Sequence, residues 1–261
     1  MKLLPTLVSV VAMLIGATSV HAQTTTTEAL TFDNNQMPSG WGYWYNVGAP
    51  GANVSIQNQR LEIGQVDSSG GITRSFDSTG VSRVKIEYDG NLANVSSGQW
   101  TTATLFANTM ATTVVSDGYI NSTLGKVGYG SNSMSLAVDY LATPAAGGGY
   151  SRAYENLVDP AVFGNYHIST VFQDGQVSQT ATNLTTGASF SSGVVSLPGF
   201  TLASMHNMTL SGGTTTGESA WIDNVTVTVT AVPEPETYAM LLAGLGLIGV
   251  VGRRRVTKPI V

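Results

Sequence analysis

The stretch from Trp221 to Thr230 constrains this chain most, because Val225, Val227 and Val229 alternate there with Thr226, Thr228 and Thr230. A period of two belongs to a β-strand with one apolar and one polar face, and a strand of that kind needs a second apolar surface to cover it. Helical signals that could supply a different cover are scarce. Only Arg152 to Val158 (RAYENLV) reads as mildly helical, with Pro160 ending it. Elsewhere short β-branched runs, about fourteen between 28 and 230, are separated by Gly, Asn, Asp and Ser. Asp174-Gly175 marks a hairpin, and Asp89-Gly90 marks a weaker one. With no helical crossovers between strands, the pattern predicts an all-β fold of antiparallel sheets packed face to face. The threonine run Thr24 to Thr27 reads as part of a flexible lead-in (23–27), which places the sandwich at 28–231.

Both ends of the chain differ from this middle. Met1-Lys2, an apolar stretch from Leu7 to Ala17, and Val20-His21-Ala22 before Gln23 have the layout of a secretory signal peptide over 1–22, cut between Ala22 and Gln23. At the other end Pro233-Glu234-Pro235 cannot continue a strand, since each proline lacks an N–H donor. An uncharged Leu/Gly/Ala-rich segment follows (237–252), then Arg253, Arg254 and Arg255. Fifteen helical residues span roughly 22 Å, short against a hydrocarbon core of about 30 Å. Arginines that snorkel to the headgroups make up much of the difference and keep 253–261 cytoplasmic. One transmembrane helix is therefore expected at 237–252.

The tail closely resembles the PEP-CTERM sorting signal, through Val232-Pro233-Glu234-Pro235, the apolar helix and the arginine cluster. That resemblance implies recognition by a membrane-embedded exosortase, cleavage near the Pro-Glu-Pro motif, and delivery to the envelope, surface or extracellular matrix, while the N-terminal layout implies signal peptidase as a second partner during export. The middle also resembles a known architecture. Leu30-Thr31-Phe32-Asp33, Pro38-Ser39-Gly40-Trp41 and Gln59 to Ile63 are similar to the opening of concanavalin A-like jelly rolls. Tyr166 to Gly175 is similar to a late hairpin of laminin G-like sandwiches, and Trp221 to Val227 to their final strand. The expected fold is a concanavalin A-like jelly-roll β-sandwich. Jelly-roll carbohydrate modules often hold a structural Ca²⁺ between first and last strands, and Asp33 and Asp223 occupy the resembling positions. Asp223 shares the parity of Val225 and Val227, so it points inward unless a bulge beside Asn224 intervenes.

Composition excludes several functions. Residues 23–231 carry fourteen acids and six bases, a formal charge of −8, which is the wrong sign for a nucleic-acid footprint. The chain has no cysteine, so disulfides, thiolate metal sites and a cysteine nucleophile are absent. Only His167 and His206 remain beyond the signal peptide, too few for a His-rich zinc site. Glycoside hydrolysis needs two carboxylates facing one cleft. Glu87 and Asp89 are the best such pair, and solvated acids beside a turn describe them better. His167 is expected to pack in the core or at its rim.

Aromatic residues supply the remaining candidate surface. Trp41, Tyr43, Trp44 and Tyr45 crowd five positions, and sugars stack their C–H faces on flat rings. Trp100 and Trp221 are expected in the core. These observations lead to a non-enzymatic, exported β-sandwich that binds polysaccharide. A structural or adhesive matrix protein and a surface glycoside hydrolase are the alternatives.

Overall fold

The computed structural model describes residues 23–45, 53–64, 68–92, 99–107, 119–126, 134–141, 151–158, 163–214, 219–232 and 241–248. Fifteen strands follow in order: β1 (Thr24–Leu30), β2 (Gly42–Tyr45), β3 (Asn53–Gln57), β4 (Arg60–Gly64), β5 (Ser68–Ser75), β6 (Val81–Leu92), β7 (Trp100–Phe106) and β8 (Tyr119–Lys126), then β9 (Met134–Leu141), β10 (Ser151–Val158), β11 (Gly164–Gln173), β12 (Gln176–Asn183), β13 (Ser189–Ser196), β14 (Asn207–Thr214) and β15 (Ala220–Ala231). They form two antiparallel sheets. Sheet A runs β13-β12-β11-β6-β15-β4-β3 with β1 also on β15, and sheet B runs β10-β9-β8-β7-β14-β5-β2. Successive strands repeatedly change sheet, as in a jelly roll, and residues Thr25–Ala231 make one compact unit.

Alternation sets the core. On sheet A it takes Val84, Ile86 and Tyr88 from β6, Ile168 and Phe172 from β11, and Ile222, Val225 and Val227 from β15. On sheet B it takes Ile72 from β5, Ala103 and Leu105 from β7, and Met208 and Leu210 from β14. Tyr88 is fully buried, its hydroxyl donating to Thr101 Oγ1 at 3.4 Å, and burial pushes that phenol well above its usual range.

Several expectations change. Arg152 to Val158 is the strand β10 instead of a helix, because its backbone pairs along β9 from Arg152↔Asp139 to Val158↔Met134. Asp89-Gly90 is no turn. It lies inside the twelve-residue β6, paired with His167 and Tyr166 of β11, while the true hairpin is Asp174-Gly175, with Gly175 at φ +69°. The lead-in is ordered as well: Thr24 to Thr27 begin β1, and their β-branched side chains suit a strand. Their hydroxyls meet β15 at Thr25–Thr230 (3.4 Å) and Thr27–Thr228 (3.3 Å). One number rises as the other falls, so β1 and β15 are antiparallel.

The terminal expectations fall mostly elsewhere. The signal peptide 1–22 with Ala22, the motif Pro233, Glu234, Pro235 and the arginines Arg253, Arg254, Arg255 lie outside the described residues. Within the expected transmembrane segment the described helix is 241–248, and no helix among the described residues is long and apolar enough to cross a membrane.

Candidate functional site

Each strand of sheet B has a second face, turned away from the core, and on β5, β14 and β7 that face is made of small polar residues. Register places Thr73 opposite Thr209 and Thr209 opposite Thr104, with Gly71, Ser211 and Thr102 in the next row and Ser75, Asn207 and Phe106 in the row before. These hydroxyls are oriented. Thr209 Oγ1 donates to Thr73 Oγ1 at 2.9 Å, Thr73 Oγ1 donates to the Met208 carbonyl at 3.0 Å, and Ser75 Oγ donates to Asn207 Oδ1 at 2.9 Å. Thr209 is 0% exposed and Thr104 3%, whereas Thr73 is half-buried and Ser75 and Gly42 are exposed. Asn207 (2%), Ser211 (3%) and Thr102 (3%) are covered as well, so this polar row, or floor, reaches solvent only on its β5–β2 side. Phe106 and Trp44 form an aromatic pair separate from the main core, with centroids 6.3 Å apart.

The four-aromatic platform expected at 41–45 is split up by the strand that carries it. Trp41 precedes β2 and is buried in the core, with the Arg74 guanidinium 5.4 Å from its ring centroid. Arg74 in turn pairs with Glu28. Alternation along β2 then sends Trp44 to the polar floor and Tyr43 to the opposite side, where it pairs with Ile72 at the sheet edge and is 44% exposed. Tyr45 ends β2, and its side chain lies outside the described residues.

The outer face of sheet A carries charge. His167 stands between two acids of β6, with Nδ1 2.8 Å from Asp89 Oδ1 and Nε2 3.7 Å from Glu87 Oε1. Lys85 Nζ is 2.7 Å from Glu87, and Asn224 Nδ2 donates to the other Asp89 oxygen at 2.8 Å. The expected carboxylate pair therefore exists on one face of a central strand, tied up by a histidine that is a bridge and no core residue. Burial alone would raise the Glu87 pKa, but Lys85 and His167 outweigh it and hold the carboxyl below its ordinary range. A depressed carboxylate contributes stability above its unfolded pKa, near 4.3, and loses it as pH falls through the folded value. Glu87→Gln should thus lower Tm at pH 7 by an amount worth under about 1 kcal/mol. That difference should vanish toward pH 3, which paired thermal melts across pH 3–7 would check.

Sequence reading missed a further cluster. Glu62 is buried and accepts from Arg60 Nε at 2.7 Å and from Asn58 Nδ2 at 3.3 Å. Arg60 lies over Trp221, 4.9 Å from its centroid. Trp221 is consequently half-buried on the outer face, and Trp100 is half-buried on the polar side of β7, so neither joins the core. The Arg-x-Glu spacing on β4 was the available signal, since residues two apart share a strand face.

Asp33 and Asp223, the residues of the calcium expectation, both lie off the core. The β15–β6 register shifts between Asp223 and Thr226, and Asn224 adopts φ +50°, so a bulge turns Asp223 outward before Val225 returns to the core. Asp223 Oδ1 accepts the Asn224 N–H at 2.8 Å, while Asp33 sits exposed in the 3-10 turn Asp33–Asn35. Among the described residues no group of three or more His, Asp or Glu side chains is arranged to hold a metal.

Comparison with known proteins agrees with this architecture. Residues 231–255 match the model of the PEP-CTERM protein-sorting motif. The CBM2 module of the evolved Dit of Lactobacillus casei BL23 phage J-1 is similar at 9% identity, over 81% of this chain and 98% of that one, with a TM-score of 0.56. Basic winged bean lectin with Tn-antigen is similar at 10% identity, over 80% of this chain and 100% of that one, with a TM-score of 0.54. Arcelin-5, a lectin-like defense protein from Phaseolus vulgaris, is similar at 10% identity, over 79% of this chain and 99% of that one, with a TM-score of 0.52. A search of curated proteins gives no sequence match. At such identities the likeness concerns the fold. The chain thus joins a lectin-like, concanavalin A-type jelly-roll sandwich to a C-terminal PEP-CTERM sorting motif, which marks it for export to the envelope.

Proposed function

We propose that this is a non-catalytic polysaccharide-binding protein, brought to the cell surface or extracellular matrix by signal peptidase and an exosortase, that holds glycan on the outer face of sheet B. The observation that carries this reading is the hydrogen-bonded polar row from Thr209 and Asn207 to Thr73 and Ser75, which reaches solvent at Ser75 beside the Trp44–Phe106 pair. Sugars are bound by convergent hydroxyl and amide groups together with one flat ring for the C–H face, and this face supplies both. Two of the similar structures are a CBM2 module and a lectin with Tn-antigen, which supports the same reading. In the precursor the apolar tail holds the chain at the membrane until it is processed.

Affinity electrophoresis and calorimetry against a panel of neutral and acidic polysaccharides test this. Trp44→Ala should weaken the best binder by about three- to tenfold, the worth of one aromatic stack, while Ser191→Ala on the far sheet should leave it unchanged. Binding that ignores Trp44→Ala and Thr73→Val removes the assignment of the face. No binding to any glycan favours a structural matrix protein. Turnover of a glycan that Glu87→Gln abolishes would instead establish the hydrolase alternative.

A further inference from the structure

The first strand is joined to the sandwich at one end and rests on one neighbour. Among the described residues β1 pairs with β15 alone, and the compact unit begins at Thr25. Of its seven residues only Leu30 is buried, while Thr24, Thr25, Thr26, Thr27 and Ala29 are exposed. Its side chains hold by long hydroxyl contacts, Thr25–Thr230 at 3.4 Å and Thr27–Thr228 at 3.3 Å, and by the Glu28–Arg74 ion pair. Thr31 follows and is exposed, then Phe32 is buried and Asn34 and Asn35 turn the chain at φ +61° and +55°. β1 can therefore lift about Thr31 while Phe32 stays in the core.

What β1 covers is far stickier than β1 itself. Val225 to Ala231 (VTVTVTA) contains no charge and no proline, and Val225 and Val227 belong to the core. On one flank this stretch pairs with β6, and on the other β4 reaches only Ala220 to Ile222, which leaves the rest to β1. A bare edge of that composition pairs with any suitable strand that meets it. Other edges of sheet A are better fastened. β3 buries Val54 and Ile56, and β13 buries Val195 and accepts the Tyr154 hydroxyl on its Ser191 carbonyl at 3.4 Å.

We propose that β1 is an exchangeable strand, whose place on β15 is taken by β1 of a second copy of this chain, so that copies become linked through their sandwiches. A second copy fits because the acceptor is already shaped for this segment. Its β1 returns Leu30 to the core, restores both threonine contacts and brings Glu28 back to Arg74. A foreign strand would leave the half-buried Arg74 guanidinium without its carboxylate, which is costly. Contacts are the same in the closed and exchanged forms, so concentration sets the balance. A strand on a short tether meets its own acceptor at a roughly millimolar effective concentration. Exchange is minor in dilute solution and takes over where copies are crowded to comparable density. The polar row on sheet B takes no part, so this linkage is independent of glycan binding.

A chain without cysteine lets two single thiols report the exchange. Full-length chain in detergent carrying Thr25→Cys is mixed with a mass-tagged copy carrying Thr230→Cys and oxidised at about 10 µM and about 1 mM, either side of that tether concentration. Thr230 is buried, so its thiol meets Thr25 of another copy only when β1 has changed places. A mixture of Thr25→Cys with Ser191→Cys, an exposed position on β13, reports random collision. At the higher concentration the Thr25/Thr230 mixed disulfide should exceed that control at least about tenfold, and at the lower it should fall to the control. Thr27→Cys with Thr228→Cys repeats the measurement at a second contact, in case one variant fails to fold. The double variant Thr25→Cys/Thr230→Cys, oxidised first in dilute solution, closes β1 on its own chain and should abolish association at the higher concentration. Mixed disulfide no higher than the Ser191 control at both contacts overturns the proposal, and so does association that persists in the closed double variant.

Discussion

Tyr88→Ala should destabilise the sandwich by about 3–5 kcal/mol, the range for emptying a large buried aromatic site. For a domain of this size that is a fall in Tm of roughly 6–20 °C. Tyr88 is 0% exposed at the middle of β6, the strand flanked by β11 and β15, and its ring joins the core residues of both. Its hydroxyl has one long contact, 3.4 Å to Thr101 across to sheet B. Tyr88→Phe keeps the ring and removes that contact, so it should cost only about 0.5–1.5 kcal/mol. The ratio of the two separates packing from hydrogen bonding, and chemical denaturation with urea would read both. Equal losses for the two variants would mean that the inter-sheet hydrogen bond, and not the ring, holds the sheets together there.

The strand that fixed the expectation of a sandwich, Trp221 to Thr230, was legible because alternation is a local property. Its one irregularity was not. Whether Asp223 faces in or out depends on the bulge at Asn224, which exists only where β15 meets β6. Tertiary pairing overrode local propensity elsewhere too. Arg152 to Val158 holds good helix formers but finds β9, and Asp89-Gly90 has turn chemistry but lies where β11 and β15 pair on both sides. At Gly90 a Cβ would meet Thr101 and the Trp221 carbonyl at 3.3 Å, so the glycine serves close packing instead of a turn. The binding face was hidden for a related reason. Thr73, Thr104 and Thr209 each look like the ordinary solvent side of a strand, and only long-range register sets them in one row. The aromatic cluster was visible from sequence, whereas its separation into a buried Trp41, an edge Tyr43 and a floor-facing Trp44 follows from where β2 begins.

Gly71→Ala should be the most damaging single-methyl change in the floor. An added Cβ at Gly71 would sit 2.0 Å from the Leu210 carbonyl oxygen and 2.6 Å from Ser211 Cα. Both are backbone atoms of the paired strand β14, and neither can rotate away. The strands must therefore separate, which breaks ladder hydrogen bonds on either side of the Gly71–Ser211 pair and tilts Trp44, the next residue across on β2. Overpacking of this kind costs about 1–3 kcal/mol and more where backbone must yield, so Gly71→Ala should lose about 3 kcal/mol or more. Gly212→Ala offers a graded comparison, since its Cβ would stand 2.8 Å from the Trp100 carbonyl and 3.1 Å from Ile63 Cδ1. It should cost less, because one of its two neighbours is a movable side chain. Gly187→Ala meets nothing within 4 Å but has φ +74°, and should lose only about 1 kcal/mol to the left-handed backbone. Thermal melts should therefore rank Gly71→Ala below Gly212→Ala below Gly187→Ala in Tm. If Gly71→Ala melts with the wild type, β5 and β14 are not in the close register that builds the floor, and the glycan face falls with it.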